Sequence, residues 1–198
     1  QRETRNAQRL SQPNIVRVFD CDQDGAHVFM TMEYMRGTPL DRFIRTVGPS
    51  GLPFERIWPI VQGMGAGLSH IHRMGLVHAD FKPGNVFVEE DGTAKILDLG
   101  IARVIDAATR TQGITRFDPA ALRALTPEYA SCEMFDGVAP DPRDDVYALA
   151  CVTYQLLTGR HPWDGTWSIH ARQEKLTLKP VESLPKRRWR ALARGLAL

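Results

Sequence analysis

The sequence is poor in cysteine, has no long hydrophobic run and carries almost no net charge. Only 3 of its 198 residues are cysteines, and they form no CxxC pair, which excludes a disulfide framework and a structural zinc site. The most apolar stretch, residues 146–157, is too short to cross a bilayer. A formal net charge of +2 gives no general attraction to nucleic acid. We therefore expect a cytoplasmic protein with reduced thiols, no nucleic-acid partner and no membrane segment in these residues, unless segments outside them anchor it.

The hydrophobic pattern changes along the chain from strand-like to helical. No repeat and no low-complexity tract is present, which indicates one compact unit. Two β-rich segments, 15–19 and 27–33, flank a turn signal at 23–25 and predict antiparallel strands. Apolar residues at helical spacing then predict three helices, over 40–47, 54–71 and from about 145 to 157. This order predicts the α+β class, with strands first and mostly helices after them.

The most informative region lies between the second and third of these helices and contains a predicted β-hairpin. Two short apolar runs, 86–88 and 94–97, flank Asp91-Gly92, a strong turn signal. In a hairpin, the residue that enters the first strand and the residue that leaves the second meet at the open end, about 4.8 Å apart. We therefore expect Asn85 and Asp98 to be neighbours. Their side chains offer the oxygen ligands that Mg²⁺ accepts.

The loop before the hairpin adds a second carboxylate, Asp80, and a mobile cation, Lys82. Phosphoryl transfer requires positioning, neutralised charge and an acceptor for a hydroxyl proton. We hypothesise that Asp80 orients the attacking hydroxyl and accepts its proton, and that Lys82 stabilises charge on the transferring group. Asn85 and Asp98 would hold Mg²⁺. The alternative is that these residues only form hydrogen bonds in turns, but four of them at compatible spacing favour the catalytic interpretation.

Two segments of this region resemble motifs of the eukaryotic-like, or Hanks-type, protein kinases. HADFKPGN, residues 78–85, resembles the catalytic loop HRDLKPxN, and DLG, residues 98–100, resembles DFG. The resemblance extends over essentially the whole chain and is strongest to bacterial serine/threonine kinases. It implies a protein kinase-like fold, with a partial N-terminal β lobe over 1–35 and a mainly helical C-terminal lobe over 36–198. It also implies that the Mg²⁺ could be replaced by Mn²⁺.

The same resemblance implies roles for residues at the nucleotide. Asp80 corresponds to the catalytic base, Lys82 to the phosphate-contacting lysine, and Asn85 and Asp98 to the metal ligands. MEYM, residues 32–35, is similar to the hinge.

In the hinge, the resemblance implies Met32 as the gatekeeper and the backbones of Glu33 and Met35 as partners of the adenine. Phe87 falls where the family has an apolar floor under the base. For Met32 and Phe87 taken singly, core packing is the alternative interpretation.

Further motifs follow in the family's order. Residues 125–133 resemble the substrate-docking loop and its closing APE, which implies that Thr126 contacts Asp80 and Lys82. Asp145 opens a segment that resembles the family's central buried helix, and it is expected to brace the catalytic loop. Two histidines of the second helix, His70 and His72, are expected to be ordinary helix residues.

Glu3 matches the glutamate of the family's αC helix that pairs with a strand lysine. That lysine and the glycine-rich loop lie upstream of this helix in the family. We therefore expect a catalytic-domain fragment, truncated also at its C-terminal end, that is inactive alone and binds ATP poorly. Ala79 replaces the arginine that clamps a phosphorylated activation segment in the family, so control through that clamp is not expected.

The resemblance implies transfer of the ATP γ-phosphoryl group to serine or threonine hydroxyls of a protein substrate. Lys82 is typical of the serine/threonine version of the loop. Two alternatives stay open: a small-molecule phosphotransferase of the aminoglycoside or choline kind, and a pseudokinase scaffold. A second copy of the chain is a further candidate partner.

Overall fold

The computed structural model describes residues 12–24, 27–47, 50–97, 103–104 and 126–198. The strands within these ranges are β1 (Val18–Asp24), β2 (His27–Met32), β3 (Gly37–Pro39), β4 (Leu76–Val77), β5 (Val86–Glu89), β6 (Ala94–Ile96) and β7 (Arg103–Val104). The helices are α1 (Leu40–Val47), α2 (Phe54–Arg73), α3 (Cys132–Phe135), α4 (Pro142–Thr158), α5 (Ser168–Gln173) and α6 (Lys186–Gly195). Small antiparallel sheets beside a helical portion confirm the α+β class.

The first strand begins later than the sequence predicts. β1 pairs antiparallel with β2, as expected, but it starts at Val18 and runs to Asp24. Ile15 and Val16 are buried, and the Val16 N–H donates to Ile96 O at 2.9 Å. The predicted start of this strand is therefore three residues too early, because Ile15 and Val16 pack beside β6 instead of continuing β1.

The predicted hairpin is present. β5 and β6 pair antiparallel, with Val86 opposite Ile96 and Val88 opposite Ala94. The turn contains Asp91, whose carboxylate accepts a hydrogen bond from the Thr93 N–H at 2.8 Å. The sequence did not predict β3, which adds a third strand on the other side of β5. The strand β5 thereby has a hydrogen-bonded strand on each side.

The two long helices form the centre of the hydrophobic core. α2 runs over the predicted segment and buries its apolar stripe, including Ile57, Met64 and Ile71. α4 begins at Pro142, three positions before the predicted start, because Asp141 caps its first turn and forms a capping box with Asp144. None of the helices in these ranges combines the length and the hydrophobicity that a membrane crossing requires.

Candidate active site

The carboxylate of Asp80 lies in the loop that joins β4 to β5, and 9% of the residue is exposed. Three donors converge on it. Lys82 Nζ lies 2.7 Å from Oδ2, Asn85 Nδ2 lies 3.3 Å from Oδ2, and the Thr126 N–H donates to Oδ1 at 3.1 Å. A carboxylate held by three donors has a fixed orientation and accepts strong hydrogen bonds. The structure thus brings four of the residues selected from the sequence to one point.

Lys82 connects Asp80 to the segment that begins at Thr126. Its Nζ also donates to Thr126 Oγ1 at 2.5 Å, and a quarter (25%) of the Lys82 side chain is exposed. An ammonium group has three N–H donors. With two of them used by these neighbours, one can reach a ligand on the exposed side. The cation is therefore both a restraint on Asp80 and a group that can meet an anion.

Asn85 ends a short 3₁₀ turn, Pro83–Asn85, immediately before β5. Its Nδ2 donates to the backbone oxygen of Asp80 at 2.9 Å as well as to the carboxylate. Because the amide nitrogen faces Asp80, the side-chain oxygen is the group that a cation could bind. The Leu97 N–H donates to Asn85 O at 2.8 Å, so the residue before Asp98 lies beside Asn85.

Two predicted site residues, Glu3 and Asp98, lie outside the described residues. Within the described ranges, no three His, Cys, Asp or Glu side chains are grouped as a complete metal site would require. The amide oxygen of Asn85 and the carboxylate of Asp80 are nevertheless hard oxygen donors of the type that Mg²⁺ binds. The expected pairing of Asn85 with Asp98 stays a prediction.

Asp145, in the first turn of α4, braces the catalytic loop from below, as the resemblance implied. Only 1% of the residue is exposed. Its Oδ2 accepts from the His78 N–H at 2.8 Å, and its Oδ1 accepts from the Ala79 N–H at 2.9 Å. Ala79 has φ 65, a left-handed conformation that costs a non-glycine residue about 1–2 kcal/mol. The two charge-assisted hydrogen bonds offset this cost.

His72 contacts the same carboxylate, with Nε2 2.7 Å from Asp145 Oδ2. The prediction that it is an ordinary helix residue is therefore wrong. The two residues are 73 positions apart, and no local pattern in the sequence indicates the contact. Only the packing of α2 against α4 reveals it.

The hinge segment is fixed by an ion pair that sequence reasoning missed. Lys95 Nζ lies 2.7 and 2.8 Å from the two carboxylate oxygens of Glu33. The Arg17 N–H also donates to this carboxylate, at 2.8 Å. Partial burial acts to raise the pKa of Glu33, but the hydrogen bonds from Lys95 and Arg17 outweigh it and hold the pKa below its ordinary value. The one indication in the sequence was Lys95 itself, a charged residue between two apolar residues of a predicted strand.

The other predicted nucleotide contacts lie around this hinge. Met32 ends β2 and is 43% exposed, which does not fit core packing. Met35, two positions after Glu33, is half-buried. Phe87 is also half-buried and lies on the opposite face of β5 from the buried Val86 and Val88. Their contacts with an adenine stay predictions.

A groove of about 270 Å³ opens beside Lys82. Its walls include Ile44 and Arg45 from α1, Gly84 from the catalytic loop, and Tyr129. The Tyr129 hydroxyl donates to Gln155 Oε1 at 2.8 Å, which fixes the ring. Lys82 and Thr126, which also line this groove, both contact the carboxylate of Asp80. Taken together, the site contains an oriented carboxylate, a cation, an amide oxygen and an adjoining groove.

The sequence of this chain matches the family model described as a protein kinase domain over residues 1–192. It is 35% identical over 174 residues to the serine/threonine-protein kinase PknL of Mycobacterium tuberculosis, an alignment that covers 88% of this chain and 41% of that protein. It is 37% identical over 169 residues to the serine/threonine-protein kinase pkn2 of Myxococcus xanthus, with 83% of this chain and 19% of that protein covered. The chain therefore spans less than half the length of these curated relatives.

Proposed function

This chain belongs to the protein kinase family, and on that premise we propose that it transfers the γ-phosphoryl group of ATP to serine and threonine hydroxyls of protein substrates. The observation that carries the proposal is the convergence of Lys82, Asn85 and Thr126 on the carboxylate of Asp80. Phosphoryl transfer needs little covalent chemistry from a protein, and it depends on positioning and on stabilisation of charge. These four residues supply both.

Asp80 acts as the general base. Its carboxylate accepts the proton of the acceptor hydroxyl while the hydroxyl oxygen forms a bond to the γ-phosphorus. The bond from the γ-phosphorus to the bridging oxygen breaks, and ADP leaves. The Thr126 N–H and the Asn85 amide keep the carboxylate in its orientation during this step. Lys82, which contacts Asp80 and Thr126, stabilises the charge on the γ-phosphoryl oxygens.

Asn85 would hold a divalent cation through its side-chain oxygen, together with Asp98. These are hard oxygen ligands, which suit Mg²⁺ and also Mn²⁺. When bound, the cation supplies neutralisation of charge on the nucleotide phosphates. The amide nitrogen of Asn85, bonded to Asp80 O at 2.9 Å, keeps the oxygen turned to the side on which the phosphates would lie.

The backbones of Glu33 and Met35 would bind the adenine, with Phe87 beneath the base. The Glu33–Lys95 ion pair supports this part of the proposal, because it connects the hinge to β6. Lys95 lies opposite Phe87 in the β5–β6 pair, so the ion pair also places the hinge near Phe87. A fixed hinge loses less conformational entropy when the nucleotide binds. Glu3 would pair with a strand lysine in this scheme, as the resemblance implies.

Serine and threonine residues of proteins are the proposed acceptors. The groove beside Lys82 supports a polypeptide substrate, because Lys82 and Thr126, which line it, both contact Asp80. The two relatives described above are serine/threonine-protein kinases, which supports this choice of acceptor. We propose a cytoplasmic location, where ATP is available and the buried thiols of Cys132 and Cys151 stay reduced. A second copy of the chain is a candidate partner that light scattering would detect.

Transfer of radiolabelled phosphate from ATP to a generic protein substrate tests the proposal, with Asp80→Asn as the control variant. We expect labelled phosphoserine and phosphothreonine from the full-length protein, since the 198 residues alone are expected to be inactive. In the variant we expect kcat to fall by about 10²- to 10⁴-fold, because asparagine cannot accept the proton. Unchanged transfer by Asp80→Asn would remove Asp80 as the base. Label on an aminoglycoside or choline instead of the protein would favour the small-molecule alternative, and nucleotide binding without transfer would favour a scaffold.

A further inference from the structure

We propose that the exposed face of α6 is a docking surface for a membrane that carries anionic lipids. The inference goes beyond the proposed phosphoryl transfer and does not depend on it. All five basic residues of the helix are exposed: Lys186, Arg187, Arg188, Arg190 and Arg194. No acidic residue is present over 186–198. This concentration of positive charge contrasts with the formal net charge of +2 for the whole chain.

Packing against the core determines which face of α6 is exposed. Trp189 and Leu192 are half-buried and pack against the hydrophobic core, and Leu196, just after the helix, is buried. With 3.6 residues per turn, the four cations other than Arg188 lie within about 100° of one another on a different side of the helix. The core contacts therefore hold α6 with these cations directed to the solvent.

Within the part of the chain that the structure describes, none of these five cations forms an ion pair with a carboxylate. Two acidic residues belong to the same region, Glu182 before the helix and Glu55 on α2, and both are exposed. An excess of positive charge therefore remains on this surface. Such a surface attracts an anionic partner.

The stability of α6 does not account for the cations. Lys186, Arg187 and Arg188 occupy the first turn of the helix, which contains no acidic residue. The dipole of a helix is positive at this end, so cations are unfavourable there. Their replacement by neutral residues should therefore leave the fold intact.

An exposed tryptophan lies beside the cations. The guanidinium carbon of Arg188 lies 4.1 Å from the centre of the Phe54 ring, and Phe54 stacks on Trp58 with 5.1 Å between the ring centres. Trp58 is 43% exposed. Tryptophan is enriched at the headgroup level of bilayers, and clusters of Lys and Arg bind anionic lipids. Single-stranded nucleic acid is typically bound in a positively charged groove, whereas α6 presents an exposed helix face, so the observations favour a bilayer.

Co-sedimentation of the full-length protein with lipid vesicles tests the proposal. The measured quantity is the ratio of two partition coefficients, one for vesicles of phosphatidylcholine mixed with phosphatidylglycerol and one for phosphatidylcholine alone. Each Lys or Arg near an anionic bilayer raises the partition coefficient by about fivefold. We therefore expect Arg187→Gln/Arg190→Gln to lower the ratio by about 10- to 30-fold. Arg36→Gln/Arg160→Gln is the matched control, because it removes two exposed cations outside α6, and it should keep the parent ratio.

Salt and fluorescence provide two further readouts. High salt should bring the ratio of the parent protein towards one, because it screens the charges, and this measurement needs no variant. Brominated lipid in the anionic vesicles should quench tryptophan fluorescence less in Trp58→Phe than in the parent, since phenylalanine keeps the stacking on Phe54 but removes the fluorophore.

A ratio of one for the parent protein at low salt would overturn the proposal, as would equal losses in the two double variants. Quenching that is equal in the parent and in Trp58→Phe would contradict the contact of Trp58 with the bilayer. Tight binding of single-stranded DNA together with a ratio of one would assign the surface to nucleic acid instead.

Discussion

Replacement of Gly67 by alanine should destabilise the protein, although alanine is the better helix former. Within a helix, this change ordinarily stabilises by about 1 kcal/mol. Gly67, however, lies where α2 approaches the hairpin. A Cβ atom at this position would be 2.7 Å from Ile96 Cδ1 and 2.9 Å from the backbone oxygen of Asn14. That oxygen is fixed, because it accepts a hydrogen bond from the Ile96 N–H at 2.8 Å.

An extra methyl group in a packed contact costs about 1–3 kcal/mol. After subtraction of the gain in helix propensity, we expect Gly67→Ala to lower the free energy of unfolding by up to about 2 kcal/mol. Gly65→Ala is the matched control on the same helix, since a Cβ there would meet only Leu149 Cδ2, at 3.9 Å. It should raise the free energy of unfolding by up to about 1 kcal/mol. Urea titration followed by circular dichroism measures both, and equal stabilisation by the two substitutions would refute the tight packing of α2 on β6.

Two further predictions concern charged groups. Burial lowers the pKa of His161 below its ordinary 6.5. Protonation of Nδ1 would break the hydrogen bond that this nitrogen accepts from the Trp163 N–H. The free energy of unfolding should therefore fall as the pH drops from 6.5 towards the lower pKa of the folded state. His161→Gln should flatten this dependence in urea titrations, and an unchanged slope would contradict the assignment. Lys95→Met should lower the free energy of unfolding by about 1–2 kcal/mol at neutral pH and raise the KM for ATP. The loss of unfolding free energy caused by Lys95→Met should become smaller as the pH falls through the lowered pKa of Glu33. If Lys95→Met causes an equally large loss in a Glu33→Gln background, the ion pair is excluded as its cause.

Features encoded by neighbouring residues could be predicted from the sequence. The hairpin of β5 and β6 follows from two apolar runs around Asp91-Gly92, and α2 follows from its apolar spacing. The meeting of Asp80, Lys82 and Asn85 was also accessible, because a loop of six residues carries all three. Thr126 could be added only through the resemblance to a family, since it is 46 positions from Asp80.

Contacts that depend on the packing of distant segments could not be predicted. The predicted strand over 15–19 begins three residues too early because β-propensity does not reveal that Ile15 packs against β6 and not in the β1–β2 pair. β3 is only three residues long and contains Pro39, so it carried no strand signal. The His72–Asp145 and Lys95–Glu33 contacts each join residues more than 60 positions apart. Local patterns carry no information on such pairs.

The attachment of the catalytic loop to Asp145 has a consequence for the behaviour of the protein on heating. Asp145 belongs to α4, a helix that contributes much of the hydrophobic core. Contacts within the core open with free energies that approach that of global unfolding, and the amides of residues 78 and 79 are bonded to such a core helix. Warming should therefore not loosen the reaction centre ahead of the rest, and inactivation and melting should occur over the same temperature range. The upper working temperature of such a protein is set by its core.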